Sequence, residues 1–173
     1  MQAYRLYTLA LAGAPELGAM NRLREMGKLT STASWMLAAS YAKAGQPEAA
    51  KKLIASLSTT VKPYRELSYS YGSHYRDKAL ILETLVILDE KEKAFEIMKE
   101  ISKALGDNGY WMNTQETAFC LKAVGAFAGM DKKGPLKFTY AISGGKSVTA
   151  SSDLPITQVQ IPINGLKSES IKV

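Results

Sequence analysis

The chain has one cysteine, Cys120, and one histidine, His74, among its 173 residues. A single thiol excludes an internal disulfide framework. One cysteine with one histidine also excludes a Cys-rich or Cys/His/His metal centre within the chain. No run of about 18 apolar residues occurs, so no segment reads as a membrane-spanning helix. There is no Gly-rich phosphate loop, no His-Glu-x-x-His and no Gly-x-Ser-x-Gly. The acids Asp77, Asp89, Asp107, Asp131 and Asp153 are scattered, so no carboxylate cluster for Mg²⁺ is expected. No cofactor is expected.

What is present is an ordinary globular mix, 46% hydrophobic and 22% charged. The formal charge is +6, from 22 Lys+Arg against 16 Asp+Glu. The cations are spread out and sit beside acids: Lys91 and Lys93 beside Glu90 and Glu92, Lys132–Lys133 beside Asp131. That pattern predicts solvated helix faces rather than a nucleic-acid footprint. Met1 runs directly into "QAYRLYTLALAG", a helix-like stretch with no cap, no basic lead-in and no cleavage pattern. The far end, "GLKSESIKV", stops on a strand-like stretch. Together these ends predict a piece of a longer chain, with other domains of that chain as partners.

Helical periodicity covers about 2–12, 15–26, 31–44, 47–57, 75–88, 90–105 and 113–128. The first, third and fifth segments are apolar round most of their circumference; the second, fourth and sixth carry one apolar stripe. An all-round apolar helix is buried and a striped one lies outside. The chain therefore predicts stacked helical hairpins, inner then outer, with 113–128 as a fourth inner helix. After Gly129 the pattern changes to period 2. "PLKFTYAI" (135–142), "KSVTAS" (146–151) and "ITQVQIPI" (156–163) predict strands. "SGG" at 143–145 predicts a hairpin turn between the first two, and Pro162 with Asn164–Gly165 an end to the third. So few strands make a poor domain alone. The expected fold is mainly α with a β tail: helical hairpins over 1–130, then antiparallel strands of a β-sandwich over 131–173.

Cys120 shares a helix face with Leu121, Val124, Phe127 and Ala128, which predicts a packing residue and not a nucleophile. Asn113 or Thr114 caps that helix, and Glu116 in its first turn suits the macrodipole. Tyr64, Tyr69, Tyr71, His74 and Tyr75 form a possible interaction loop, since loops carry function more often than cores.

The stretches "AYRLYTLALAG" (3–13), "WMLAASYAKAGQPEAAKKLI" (35–54) and above all "TQETAFCLKAV" (114–124) resemble the bacterial branch of the alpha-2-macroglobulin family. In that family a run like Thr114-Gln115-Glu116-Thr117 opens the closing helix of the thioester domain. That domain is an α/α toroid inserted in a CUB-like β-sandwich, to which the chain then returns. The resemblance implies a non-catalytic part of a protease trap in the periplasm or cell envelope. Target proteases would be engaged by the whole protein, and any membrane anchor would lie outside this chain. It also implies a departure: the thioester motif is Cys-x-Glu-Gln, whereas Cys120 is followed by Leu121, Lys122 and Ala123. Two other readings fit the residues. "W-x-x-A-x-x-Y-x-x-A-G-x-x-x-x-A" at 35–50 has the flavour of a TPR-like α-solenoid binding module. An enzyme on an α/α-toroid scaffold is the other.

Overall fold

A computed structural model of the chain describes residues 1–68, 72–107, 111–130, 135–142, 146–153 and 171–172. Two compact units divide it, Met1–Phe127 and Ala128–Val173. The first contains α1 (Gln2–Leu11), α2 (Leu17–Glu25), α3 (Ser31–Lys43), α4 (Pro47–Ile54), α5 (His74–Ile87), α6 (Lys91–Gly106) and nearly all of α7 (Thr114–Ala128).

The hairpins are closed by one device used three times. A residue with positive φ follows each of α1, α3 and α5: Gly13 at 78°, Gly45 at 74° and Asp89 at 58°. Its N–H donates to the carbonyl three residues back, at Ala10, Ala42 and Val86. The next N–H donates five back, from Ala14 to Leu9, Gln46 to Tyr41 and Glu90 to Leu85. This is the Schellman motif, which satisfies the orphan carbonyls of a helix end and turns the chain. Pro47 then opens α4 in the first-turn position that suits its fixed φ and missing N–H.

α3 and α5 start on side-chain caps, whereas α1 has none. The Thr30 hydroxyl accepts from the N–H of Ala33 at 3.2 Å, and the Ser73 hydroxyl from that of Arg76 at 3.2 Å. The outer helices α2, α4 and α6 have no side-chain cap. Their cohesion comes from a single buried stripe: Met20; Ala50 and Ile54; Ala94, Ile97, Ile101 and Ala104.

α3 and α5 are buried on all sides, from Ser34 to Tyr41 and from Ala79 to Leu85. α3 packs against α1, α2, α4 and α5, and α5 also against α6. This matches the expected inner/outer alternation in α2 to α6. α1 departs from it. Only Ala3, Leu6, Tyr7 and Ala10 are buried, while Tyr4, Leu9 and Leu11 are 40–49% exposed. Among the described residues its backbone packs on α3 and α2, and its Tyr7 side chain reaches Glu83 of α5.

In the second unit β1 (Leu136–Ile142) pairs antiparallel with β2 (Val148–Ser152), with Phe138 opposite Ala150 and Thr139 opposite Thr149. β3 (Ile171–Lys172) pairs antiparallel with the far end of β1, Ala141 opposite Lys172. Phe138 and Tyr140 share a face, ring centroids 6.3 Å apart, as period-2 geometry requires. The expected strand at 156–163, the 143–145 turn and the turn at 164–166 lie outside the described residues.

Candidate functional site

Of the residues singled out in the sequence, Tyr64, His74, Tyr75 and the Thr114–Thr117 run lie at or just before the starts of α5 and α7. α7 opens on a reciprocal capping box. The Asn113 Oδ1 accepts from the Glu116 N–H at 2.8 Å, and Glu116 Oε2 accepts from the Asn113 N–H at 2.9 Å. The Thr117 hydroxyl adds a bond to the Asn113 carbonyl at 3.0 Å. Asn113 and the Thr-Gln-Glu-Thr run together thus close the helix start. Glu116 has no solvent exposure, and a buried carboxylate needs a counter-charge. Arg65 supplies it, its Nη2 lying 3.0 Å from Glu116 Oε2 and also donating to the Trp111 carbonyl. Gln115, for which helix propensity gave no reason, accepts from Arg76 Nη1 at 3.3 Å.

Asp77, one turn into α5, is the second buried acid. Its Oδ2 accepts from the hydroxyls of Thr32 (2.9 Å) and Tyr64 (2.8 Å), and Arg76 Nη2 stands 3.4 Å from Oδ1. Burial, and then the bond to Asp77, push the Tyr64 phenol up to about 12. The segment before α5 doubles back on itself: Glu66 N–H donates to the Gly72 carbonyl, and His74 N–H to the Tyr64 carbonyl. Arg65 forms a β-bridge with Ser73.

The expected aromatic loop divides. Tyr64 is in the loop, 41% exposed, whereas His74 and Tyr75 form the first turn of α5, half-buried, because Ser73 caps there. Their rings lie 4.2 Å apart, and His74 Nδ1 is 3.1 Å from the Tyr64 carbonyl. Tyr69 and Tyr71 lie outside the described residues. Cys120 is fully buried, its Sγ 3.7 Å from the Tyr75 carbonyl. Burial, reinforced by the Glu116 charge, pushes its thiol up to about 12. It is a protonated packing group at neutral pH.

A second polar cluster has no forerunner in the sequence reading. Glu83 of α5 is buried, accepts from the Tyr7 hydroxyl of α1 and is 2.8 Å from Lys122 Nζ of α7. Lys122 also lies 5.7 Å from the Tyr7 ring centre. Burial and the Glu83 hydrogen bond raise the Tyr7 pKa. The one signal for it is Glu83 itself, a lone charge inside "ALILETLVIL". Its partners, 76 positions away in Tyr7 and on another helix in Lys122, follow no spacing rule.

Among the described residues, no group of three or more His, Cys, Asp or Glu is placed to hold a metal ion. Each of the buried acids Asp77, Glu83 and Glu116 is met by donors from other segments, so these contacts tie helices together. No family model, no characterised protein and no solved structure matches the chain.

Proposed function

We propose that the chain is scaffold from a bacterial alpha-2-macroglobulin-like protease trap. Residues 1–130 form part of an α/α toroid of the thioester type, and 131–173 return strands of a CUB-like β-sandwich. The observation that carries this reading is the Thr114–Thr117 run. With Asn113 it closes the first turn of α7, which is followed in chain order by antiparallel strands, the order the family resemblance implies. The inner/outer layering supports it. The contacts of Tyr7 and Lys122 with Glu83, which tie α1 and α7 to α5, agree with it.

The chain contributes structure, not bond-making. Cys120 lacks the Glu-Gln that a thioester needs, and its thiol is buried and protonated. The whole protein would then act sterically, caging a protease after cleavage of an exposed segment, in the periplasm or envelope. An enzyme on this scaffold is less well supported, because Asp77, Glu83 and Glu116 each already face a cation, Arg76, Lys122 and Arg65 in turn.

The test uses the complete product of the reading frame that encodes this chain. Endopeptidases incubated with it should lose activity on large protein substrates and keep it on small peptide substrates. Equal loss on both, or no loss with any endopeptidase, overturns the proposal.

A further inference from the structure

Helix dipoles sort the charges of the first unit, since acids favour helix starts and cations favour helix ends. The last turn of α2 carries Arg22 and Arg24, that of α4 Lys51 and Lys52, and that of α6 Lys103. All of these are exposed. The three helix ends share one rim. Thr32 of α3 bonds to Asp77 of α5, and Arg76 of α5 to Gln115 of α7, so these inner helices begin side by side. Trp35 Nε1 donates to the Ser58 carbonyl at 3.4 Å, which brings the chain just after α4 to the first turns of α3. α2 and α6 reach α3 and α7 through the short links 26–30 and 107–113.

The links add exposed Lys28 and Lys62 to this rim, against Glu25, Glu66 and Asp107. Inner helices also begin with acids here, Asp77 and Glu116, but both are buried and bonded to donors. The charge that reaches solvent is therefore mainly positive. At the opposite rim the balance reverses: Glu16, Glu48, Asp89, Glu90 and Glu92 outnumber Lys43, Lys91 and Lys93. The basic rim also exposes apolar side chains. Met26 is 71% exposed, Leu67 67% and Trp111 86%, one on each link. The opposite links, 12–16, 44–46 and 88–90, show no exposed large apolar side chain. A single exposed apolar residue is ordinary, but one on each of three neighbouring links, set among cations, marks an interaction surface.

We propose that this rim docks on the surface of an anionic lipid bilayer, with Met26, Leu67 and Trp111 entering the headgroup layer and the basic helix ends facing lipid phosphates. An indole favours that interface, and each nearby Lys or Arg adds attraction to anionic headgroups. The three apolar residues sit on separate links and differ in shape, which suits a fluid layer better than a matched pocket on a folded partner. No described helix is long and apolar enough to cross a membrane, so the contact is peripheral. The proposal does not rest on the protease-trap reading.

The test is sedimentation of the whole chain with phosphatidylcholine vesicles, with and without about 30% phosphatidylglycerol. The anionic vesicles should bind at least about tenfold more tightly, and about 0.5 M NaCl should remove most of the difference. Tryptophan emission should shift to the blue on binding, through Trp111, because Trp35 is already buried. Trp111→Ser keeps the carbonyl that Arg65 uses, yet should abolish the shift and weaken binding about tenfold. Lys51→Gln with Lys52→Gln should also weaken it about tenfold. Lys91→Gln with Lys93→Gln, equal in net charge but on the opposite rim, should leave it unchanged. No preference for anionic vesicles, or equal loss from both lysine pairs, overturns the proposal. So does binding that Trp111→Ser leaves intact, which would mark a general attraction to polyanions, acidic proteins included.

Discussion

Tyr64 and Cys120 give the clearest consequence at the scale of single residues. Both acids are neutral when protonated, and both are pushed up to about 12 by burial. The folded state thus binds these protons more tightly than the unfolded state does. Their contribution to stability is complete below the ordinary values of 9.0 for the thiol and 10.0 for the phenol. It is lost as pH rises towards about 12. Urea midpoints measured between about pH 8 and 12 should fall across that window. Tyr64→Phe and Cys120→Ala should each make the fall shallower, whatever they do to the midpoint at pH 8. Residue identity made part of this legible. The apolar neighbours of Cys120 on a helical projection already place it inside. Arg65 and Asp77 were not legible, because the groups that neutralise or bond them sit on segments far along the chain: Glu116 for the first, Thr32 for the second.

Elements were more legible than sites, because periodicity and caps are local. The boundaries of α3 and α4 follow from Thr30, Gly45 and Pro47, each a residue with one physical reason to be there. α1 misled because composition reports what a helix can bury and says nothing of what lies beside it. The Schellman corners yield an element-scale prediction. Asp89 has φ 58°, a conformation that disfavours a Cβ, while Gly13 and Gly45 have open space where a Cβ would go. The cost of a side chain at these corners is therefore conformational, not steric against neighbours. Gly45→Ala should destabilise by about 1 kcal/mol, and Asp89→Gly should be more stable than Asp89→Ala by about 1 kcal/mol. Urea unfolding of the three variants checks both.

At the scale of the molecule, the turns from inner to outer helix repeat one geometry, and the links back do not. Residues 26–30 join α2 to α3, 55–73 join α4 to α5, and 107–113 join α6 to α7. The inner-to-outer links, 12–16, 44–46 and 88–90, vary far less in length than these. Four Gly/Ser residues inserted after Lys62, in the long link, should cost under about 1 kcal/mol, since loop entropy grows slowly with length. The same insertion after Gly45 parts Gln46 from Tyr41, breaking the longer Schellman bond at a three-residue link, and should cost more, about 1–2 kcal/mol. The midpoint of urea unfolding separates them. One rim of the hairpin stack is thus locked by backbone stereochemistry, while the opposite rim is open to rewriting. Added length is tolerated there only outside the residues that hold α5 and α7, Tyr64, Arg65, Ser73 and Asn113 among them.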